Sequence, residues 1–126
     1  MKHKDEVVFV GRLYEQELKN AVASAQALLL VSHCEGFGIP IIEAMKCDVP
    51  VITSNVTSMP EVAGEAALLV DPASVDSIAH AMKRIVAEPE LRTQMIQKGR
   101  LSSRRFSWEK TGEKMWGCIS KSLEQG

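Results

Sequence analysis

Through Pro72 the chain alternates short continuous apolar runs with stretches whose apolar residues recur at helical spacing. Val7-Val8-Phe9-Val10 is a β-branched run closed by Gly11, which predicts a strand. From Glu15 to Ala25, Leu18, Ala21, Val22 and Ala25 share one helical face. Ala27-Leu28-Leu29-Leu30-Val31 then reads as a buried strand, followed by a glycine loop and a helix that opens at Pro40 and ends near Cys47-Asp48. Val49 to Ser54 predicts the next strand, Asn55 to Met59 a polar loop, and Pro60-Glu61 another helix start. Ala66 to Val70 predicts a further short strand, turned by Asp71-Pro72. Strands alternating with helices imply a parallel sheet with right-handed crossovers. Strands that are apolar throughout agree, because such a sheet is covered on both faces. The expected fold is therefore α/β, a three-layer parallel sheet of about four strands flanked by helices.

After Pro72 the pattern is helical to the end. Ser74 suits an N-cap, with Ser77 three residues later in place of the Glu of a capping box. Ile78, Ala81, Met82, Ile85 and Val86 form the expected buried face of that helix. Pro89-Glu90 opens the next, with Leu91, Met95 and Ile96 inward. Ser107 is positioned to cap the last, which carries Trp108, Met115, Trp116, Ile119 and Leu123; the two tryptophans read as core or domain-packing aromatics. Lys98, Arg100, Arg104 and Arg105 form a basic cluster between the last two helices.

Composition narrows the classes. With 126 residues, 45% hydrophobic and 25% charged, the chain has the balance of one globular domain. A net charge of −1 gives no nucleic-acid footprint. No apolar run approaches a membrane span, and the N-terminus lacks a signal-peptide pattern. Cys34, Cys47 and Cys118 form no C-x-x-C pair, so a reduced, cytoplasmic setting is expected. His33-Cys34 with Cys47 matches no familiar zinc spacing, and no metal is expected. His80 sits within an amphipathic helix and reads as structural.

The chemistry concentrates in Glu35-Gly36-Phe37-Gly38-Ile39-Pro40-Ile41-Ile42-Glu43-Ala44-Met45. A strand, a glycine loop and a helix N-terminus present free N–H groups and a positive dipole end to an anion. Glu35 and Glu43 frame the loop, and carboxylates do not bind phosphate. They call for hydroxyl groups, and hydroxyls beside a phosphate describe a sugar nucleotide.

This stretch resembles the donor-binding signature of the GT-B glycosyltransferases of family 4 (glycosyltransferase group 1), two glutamates with seven residues between them. The resemblance continues through Pro50 to Asn55, Pro60-Glu61-Val62, Ala67 to Pro72 and Phe106-Ser107-Trp108-Glu109. It implies that the whole of 1–126 is part of a C-terminal, Rossmann-like, nucleotide-sugar donor-binding domain. Gly11-Arg12-Leu13 is followed by Glu15-Gln16-Glu17-Leu18 and not by Lys-Gly, so the alignment starts at the third strand of that domain. Two βα units and the acceptor domain would then lie outside the chain, and transfer by this stretch alone is not expected. Because strand three of a doubly wound sheet meets strand four only through the first two, Val7 to Val10 would either slide in beside Ala27 to Val31 or pair with another copy.

For the site, the resemblance implies Glu35 as the catalytic residue beside the donor sugar, orienting hydroxyls and stabilising an oxocarbenium-like transition state. Glu43 would accept hydrogen bonds from the ribose. Gly36, Phe37, Gly38 and Ile39 would line the diphosphate and sugar, and Arg12 and Leu13 the base. Asn55, Thr57 and Ser58 fall at the usual ligand crevice of such a sheet, with less weight. The expected reaction is retaining and metal-independent, with no cofactor. The donor would be a nucleotide diphosphate sugar, a UDP-sugar ahead of a GDP-sugar. The acceptor would be a glycan or lipid-linked sugar in bacterial polysaccharide or lipopolysaccharide assembly, at the inner face of the membrane, with the basic cluster contacting anionic lipid. A non-catalytic nucleotide-binding module with a flavodoxin-like sheet would not need Glu35; a protein-interaction domain would not need the glutamate pair.

Overall fold

The computed structural model describes residues 3–124. After a one-turn 3₁₀ helix at Lys4–Glu6 come α1 (Glu15–Ala23), β1 (Leu28–Leu30), α2 (Ile39–Lys46), β2 (Val51–Ser54) and α3 (Met59–Ala63). A second 3₁₀ turn at Gly64–Ala66 leads into β3 (Ala67–Val70), α4 (Val75–Ala87), α5 (Pro89–Ser103) and α6 (Trp108–Glu124). The strands form one parallel sheet in the order β1-β2-β3. Leu29 lies opposite Ile52, and Ile52 opposite Leu68.

β2 is the centre of the sheet and all four of its residues are buried. The alternation of a strand sends Val51 to one face and Ile52 to the other. Val51 joins a core with Ile41, Met45, Met59 and Val62 from α2 and α3. Ile52 joins a second core with Val70, Ala81, Ile85 and Met95. α5 bridges the two layers: Met95 fills the second core, while Gly99 lies so close to Met45 that an added Cβ would stand 3.2 Å from its Cγ. A bidentate pair, Arg100 to Asp48 at 2.6 Å through both oxygens, ties α5 to the turn after α2. That turn takes Asp48 into the left-handed region (φ 61°), as residues just beyond a helix C-cap commonly do.

The α/β, three-layer reading holds, with helices on both faces, but the sheet has three strands among the described residues. Val7–Val10 is not a strand. Its side chains are exposed, Phe9 at 87%, and it lies unpaired, neither beside β1 nor in any ladder of this chain. A parallel slot is filled only when the crossover helix is held down on the sheet. α1 buries none of its residues and only Val22 packs against the core from it, so that crossover is weakly anchored.

Two helical faces also differ from the pattern. On α4, Ala81 and Ile85 are buried, but Met82 and Val86 are 46% and 76% exposed, because the sheet stops at β3 and no element among the described residues covers that side. Ser107 does cap α6, accepting from the Lys110 amide at 3.2 Å. The helix itself buries no residue, and Trp108, Met115, Trp116, Ile119 and Leu123 are exposed. Their periodicity is real, but within this chain they are not core.

Candidate functional site

β1 ends at Leu30, and the chain turns through 31–38 before α2 begins. Gly38 is the N-cap of α2 with φ 88°, a conformation that a side chain resists. A Cβ there would meet Ile41 Cδ1 at 3.0 Å. Gly36 is different: its φ lies outside the left-handed region and a Cβ would meet nothing within 4 Å. Of the two motif glycines only Gly38 is demanded by the backbone. Pro40 sits in the first turn of α2, where no intrahelical donor is lost.

Glu35 is half-buried and held at three points. Ser32 Oγ donates to Glu35 Oε1 at 2.8 Å. Ser58 Oγ donates to the Glu35 carbonyl at 3.1 Å, and the Glu35 amide donates to Thr57 Oγ1 at 3.4 Å, the weakest of the three. Ser32 is itself fixed, since the fully buried Ser54 donates to its carbonyl at 2.7 Å. Thr53 does the same for Leu30 at 2.8 Å. Hydroxyls from the end of β2 and the loop after it thus grip the loop after β1. Of the polar trio in that second loop, Thr57 and Ser58 serve this grip, while Asn55 is exposed and its amide donates to the Val70 carbonyl at 2.9 Å.

Glu43 is exposed on α2, eight residues on, and lines a concavity of about 410 Å³ with Phe37, Ile39, Lys46, Phe106 and Trp108. The cavity wall is fixed by an edge-on contact of Phe37 with Phe106, centroids 5.7 Å apart at 87°, and by the Arg105 guanidinium 5.2 Å from the Phe106 centroid. Lys19 of α1, whose ammonium is stabilised first by its hydrogen bond to Glu15, also feels the charge of Glu43. The structure therefore brings Phe37, Ile39 and Glu43 to one cavity, next to the Glu35 loop. Arg12 is exposed and Leu13 half-buried in the segment ahead of α1; among the described residues no hydrogen bond or ion pair joins Arg12 to either glutamate. No three His, Cys, Asp or Glu side chains come together to hold a metal ion among the described residues.

A strand, a left-handed glycine at a helix N-cap, and two carboxylates at fixed spacing agree with what the sequence resembled. The family model for group 1 glycosyl transferases matches residues 1–102. The chain belongs to that family. It is 40% identical over 101 residues to the O-antigen chain mannosyltransferase B of Escherichia coli, an alignment spanning 80% of this chain and 26% of that protein. With the MMP alpha-(1->4)-mannosyltransferase of Mycolicibacterium hassiacum it shares 33% identity over 115 residues, 88% of this chain and 28% of the relative. Among solved structures, sucrose-phosphate synthase from Thermosynechococcus elongatus superposes with a TM-score of 0.84 at 30% identity, over 99% of this chain and 32% of that one. The chain spans about a quarter of the length of these two curated relatives.

In this family member the sequence pointed to the glutamates, named Thr57 and Ser58 only as crevice residues, and missed Ser32 and Ser54 as supports of Glu35. Ser32 could have been found, since it stands three residues before Glu35 and a serine at that offset reaches a carboxylate. Ser54 carried no local signal. Lys46, on the same face of α2 as Glu43, was legible from helical spacing alone.

Proposed function

We propose that this chain is the nucleotide-sugar donor site of a retaining, metal-independent glycosyltransferase that acts on a glycan or lipid-linked acceptor. The observation that carries it is the pairing of a half-buried, serine-held Glu35 with an exposed Glu43 at the edge of an open cavity. A carboxylate fixed at one oxygen leaves the other to face a sugar. One that is open to solvent beside apolar walls suits the two hydroxyls of a ribose.

In this reading the diphosphate lies across Gly36 to Ile39, with Arg12 and Leu13 toward the base. The bond between the anomeric carbon and the diphosphate oxygen breaks, and the diphosphate leaves with the electron pair. The acceptor hydroxyl attacks on the same face and its proton passes to the leaving phosphate. Glu35 stabilises the positive charge that develops on the ring. The mannosyltransferase names of the two relatives support mannose as the transferred sugar, and the name of the first supports O-antigen assembly as the setting. Because the relatives are several times longer, an acceptor-binding part beyond these elements completes the enzyme.

The test is a ¹H–¹⁵N titration of the chain with UDP, GDP, ADP and their hexose conjugates, GDP-mannose included. Shifts at Gly36, Gly38 and Glu43 with one nucleotide series are expected, and Glu43→Ala abolishes them. Shifts that bypass these residues, or that survive both Glu35→Gln and Glu43→Ala, overturn the proposal.

A further inference from the structure

The loop after β2 contains a conformation the fold alone does not require. Thr57 is β-branched yet sits at φ 56°, in the left-handed region that such residues rarely occupy. Backbone strain of this kind persists where the surroundings over-determine it, and it concentrates at working sites. Thr57 adds nothing to either core; it is exposed. What its conformation does is bring two successive hydroxyls to one residue: Thr57 Oγ1 to the Glu35 amide and Ser58 Oγ to the Glu35 carbonyl. From the neighbouring position on β2, buried Ser54 fixes the carbonyl of Ser32, whose own hydroxyl holds the Glu35 carboxylate. The donors and acceptors converge on a single loop glutamate from 22 and 23 residues away.

We propose that Ser54, Thr57 and Ser58 are positioning residues that set the orientation of Glu35 toward the transferred sugar, with Ser32 as the direct contact. This rests on the reading of Glu35 as the group that faces the donor sugar. Backbone and carboxylate are both pinned, so the carboxylate cannot swing away with its loop, and the second oxygen points in one direction before the sugar arrives. Preorganisation of this sort acts on the sugar end of the donor and not on the nucleotide end. It therefore predicts a selective loss: weakening the clamp lowers affinity for the nucleotide sugar while affinity for the bare nucleoside diphosphate stays.

The experiment uses the full 126-residue chain with Ser58→Ala, Thr57→Ala, and Ser58→Thr as the rescue, because threonine keeps the hydroxyl. Thr57→Gly, which removes the hydroxyl and adopts a left-handed backbone without strain, stands in if Thr57→Ala does not fold. Without ligand, Ser58→Ala and Thr57→Ala should move the Glu35 carboxyl ¹³C resonance and the Gly36 amide, and leave the Ile52 and Ile85 amides in place. With GDP and GDP-mannose, or the pair that binds wild type best, the ratio of their affinities should fall severalfold toward one in both alanine variants and return in Ser58→Thr. A Glu35 carboxyl resonance and an affinity ratio unchanged in both alanine variants overturn the clamp, while the donor reading stands. If wild type itself binds no nucleotide, the unliganded Glu35 resonance decides on its own whether these hydroxyls orient it.

Discussion

Replacing the motif glycines one at a time separates backbone necessity from motif membership. Gly38→Ala places a Cβ at φ 88°, which costs about 1–2 kcal/mol for the left-handed conformation. The new carbon also stands 3.0 Å from Ile41 Cδ1, and Ile41 is fully buried, so that side chain must shift inside a packed core. Overpacking of this kind adds about 1–3 kcal/mol, and the reduced freedom of the unfolded chain returns about 0.4–1 kcal/mol. The net expectation is a loss of about 1–5 kcal/mol, centred on about 3. Gly36→Ala meets nothing within 4 Å and no left-handed angle, so it should be neutral or stabilising by about 0.5 kcal/mol. Urea unfolding followed by circular dichroism measures both. With a slope of about 1–3 kcal/mol per molar for a small protein, Gly38→Ala should lower the midpoint by about 1 M or more. Equal midpoints for the two variants, or a Gly38→Ala loss under about 0.5 kcal/mol, would refute the assignment of Gly38 as the obligatory turn.

Ile52→Ala, at a fully buried position in the central strand, should cost about 2–5 kcal/mol in the same unfolding assay. Trp108 and Trp116 are 81% and 68% exposed, so both should be quenched readily by acrylamide, and Trp116→Ala should shift stability by less than about 0.5 kcal/mol. The Asp48 carboxyl is held below its ordinary value, first by the hydrogen bonds of Arg100. A carboxylate lowered on folding contributes stability that is present above its unfolded value near 4 and lost as pH falls through the folded one. Urea midpoints taken downward from pH 5 should therefore fall more in wild type than in Asp48→Asn, and parallel curves would exclude the pair as a contributor.

The strands that fold were legible because the reasons for them are local. β1, β2 and β3 each lie inside an apolar run, and Val49-Pro50 drops out of the expected strand because the Val49 amide is taken by the Ala44 carbonyl at the end of α2. Val7–Val10 has the same composition and failed for a non-local reason. A strand is a pairing, and whether a partner edge and a seated crossover helix exist is not written in the run itself. The faces of α4 and α6 make the same distinction. Helical periodicity identified which side was apolar; the extent of burial depends on what stands opposite, and among the described residues little does beyond β3 or along α6 past the cavity at Trp108.

The site divides along the same line. Glu35, Gly38 and Glu43 lie in one short loop-and-helix segment, so their spacing encodes much of their geometry, and sequence alone could place them. The hydroxyls that fix Glu35 come from the neighbouring strand and its loop, brought there by the parallel register that sets Leu30 against Thr53. That register explains why polar residues occur at the end of a wholly buried strand. Thr53 and Ser54 continue β2 past Ile52, and a purely hydrophobic strand would bury equally well at both positions. Instead each donates to a main-chain carbonyl at or just beyond the end of β1, Leu30 and Ser32, where the ladder is ending and side-chain hydroxyls serve as donors. The sheet thus extends its order past its last ladder bond by side-chain hydroxyls. The loop that carries Glu35 is thereby tied to the neighbouring strand and its loop beyond the last ladder bond.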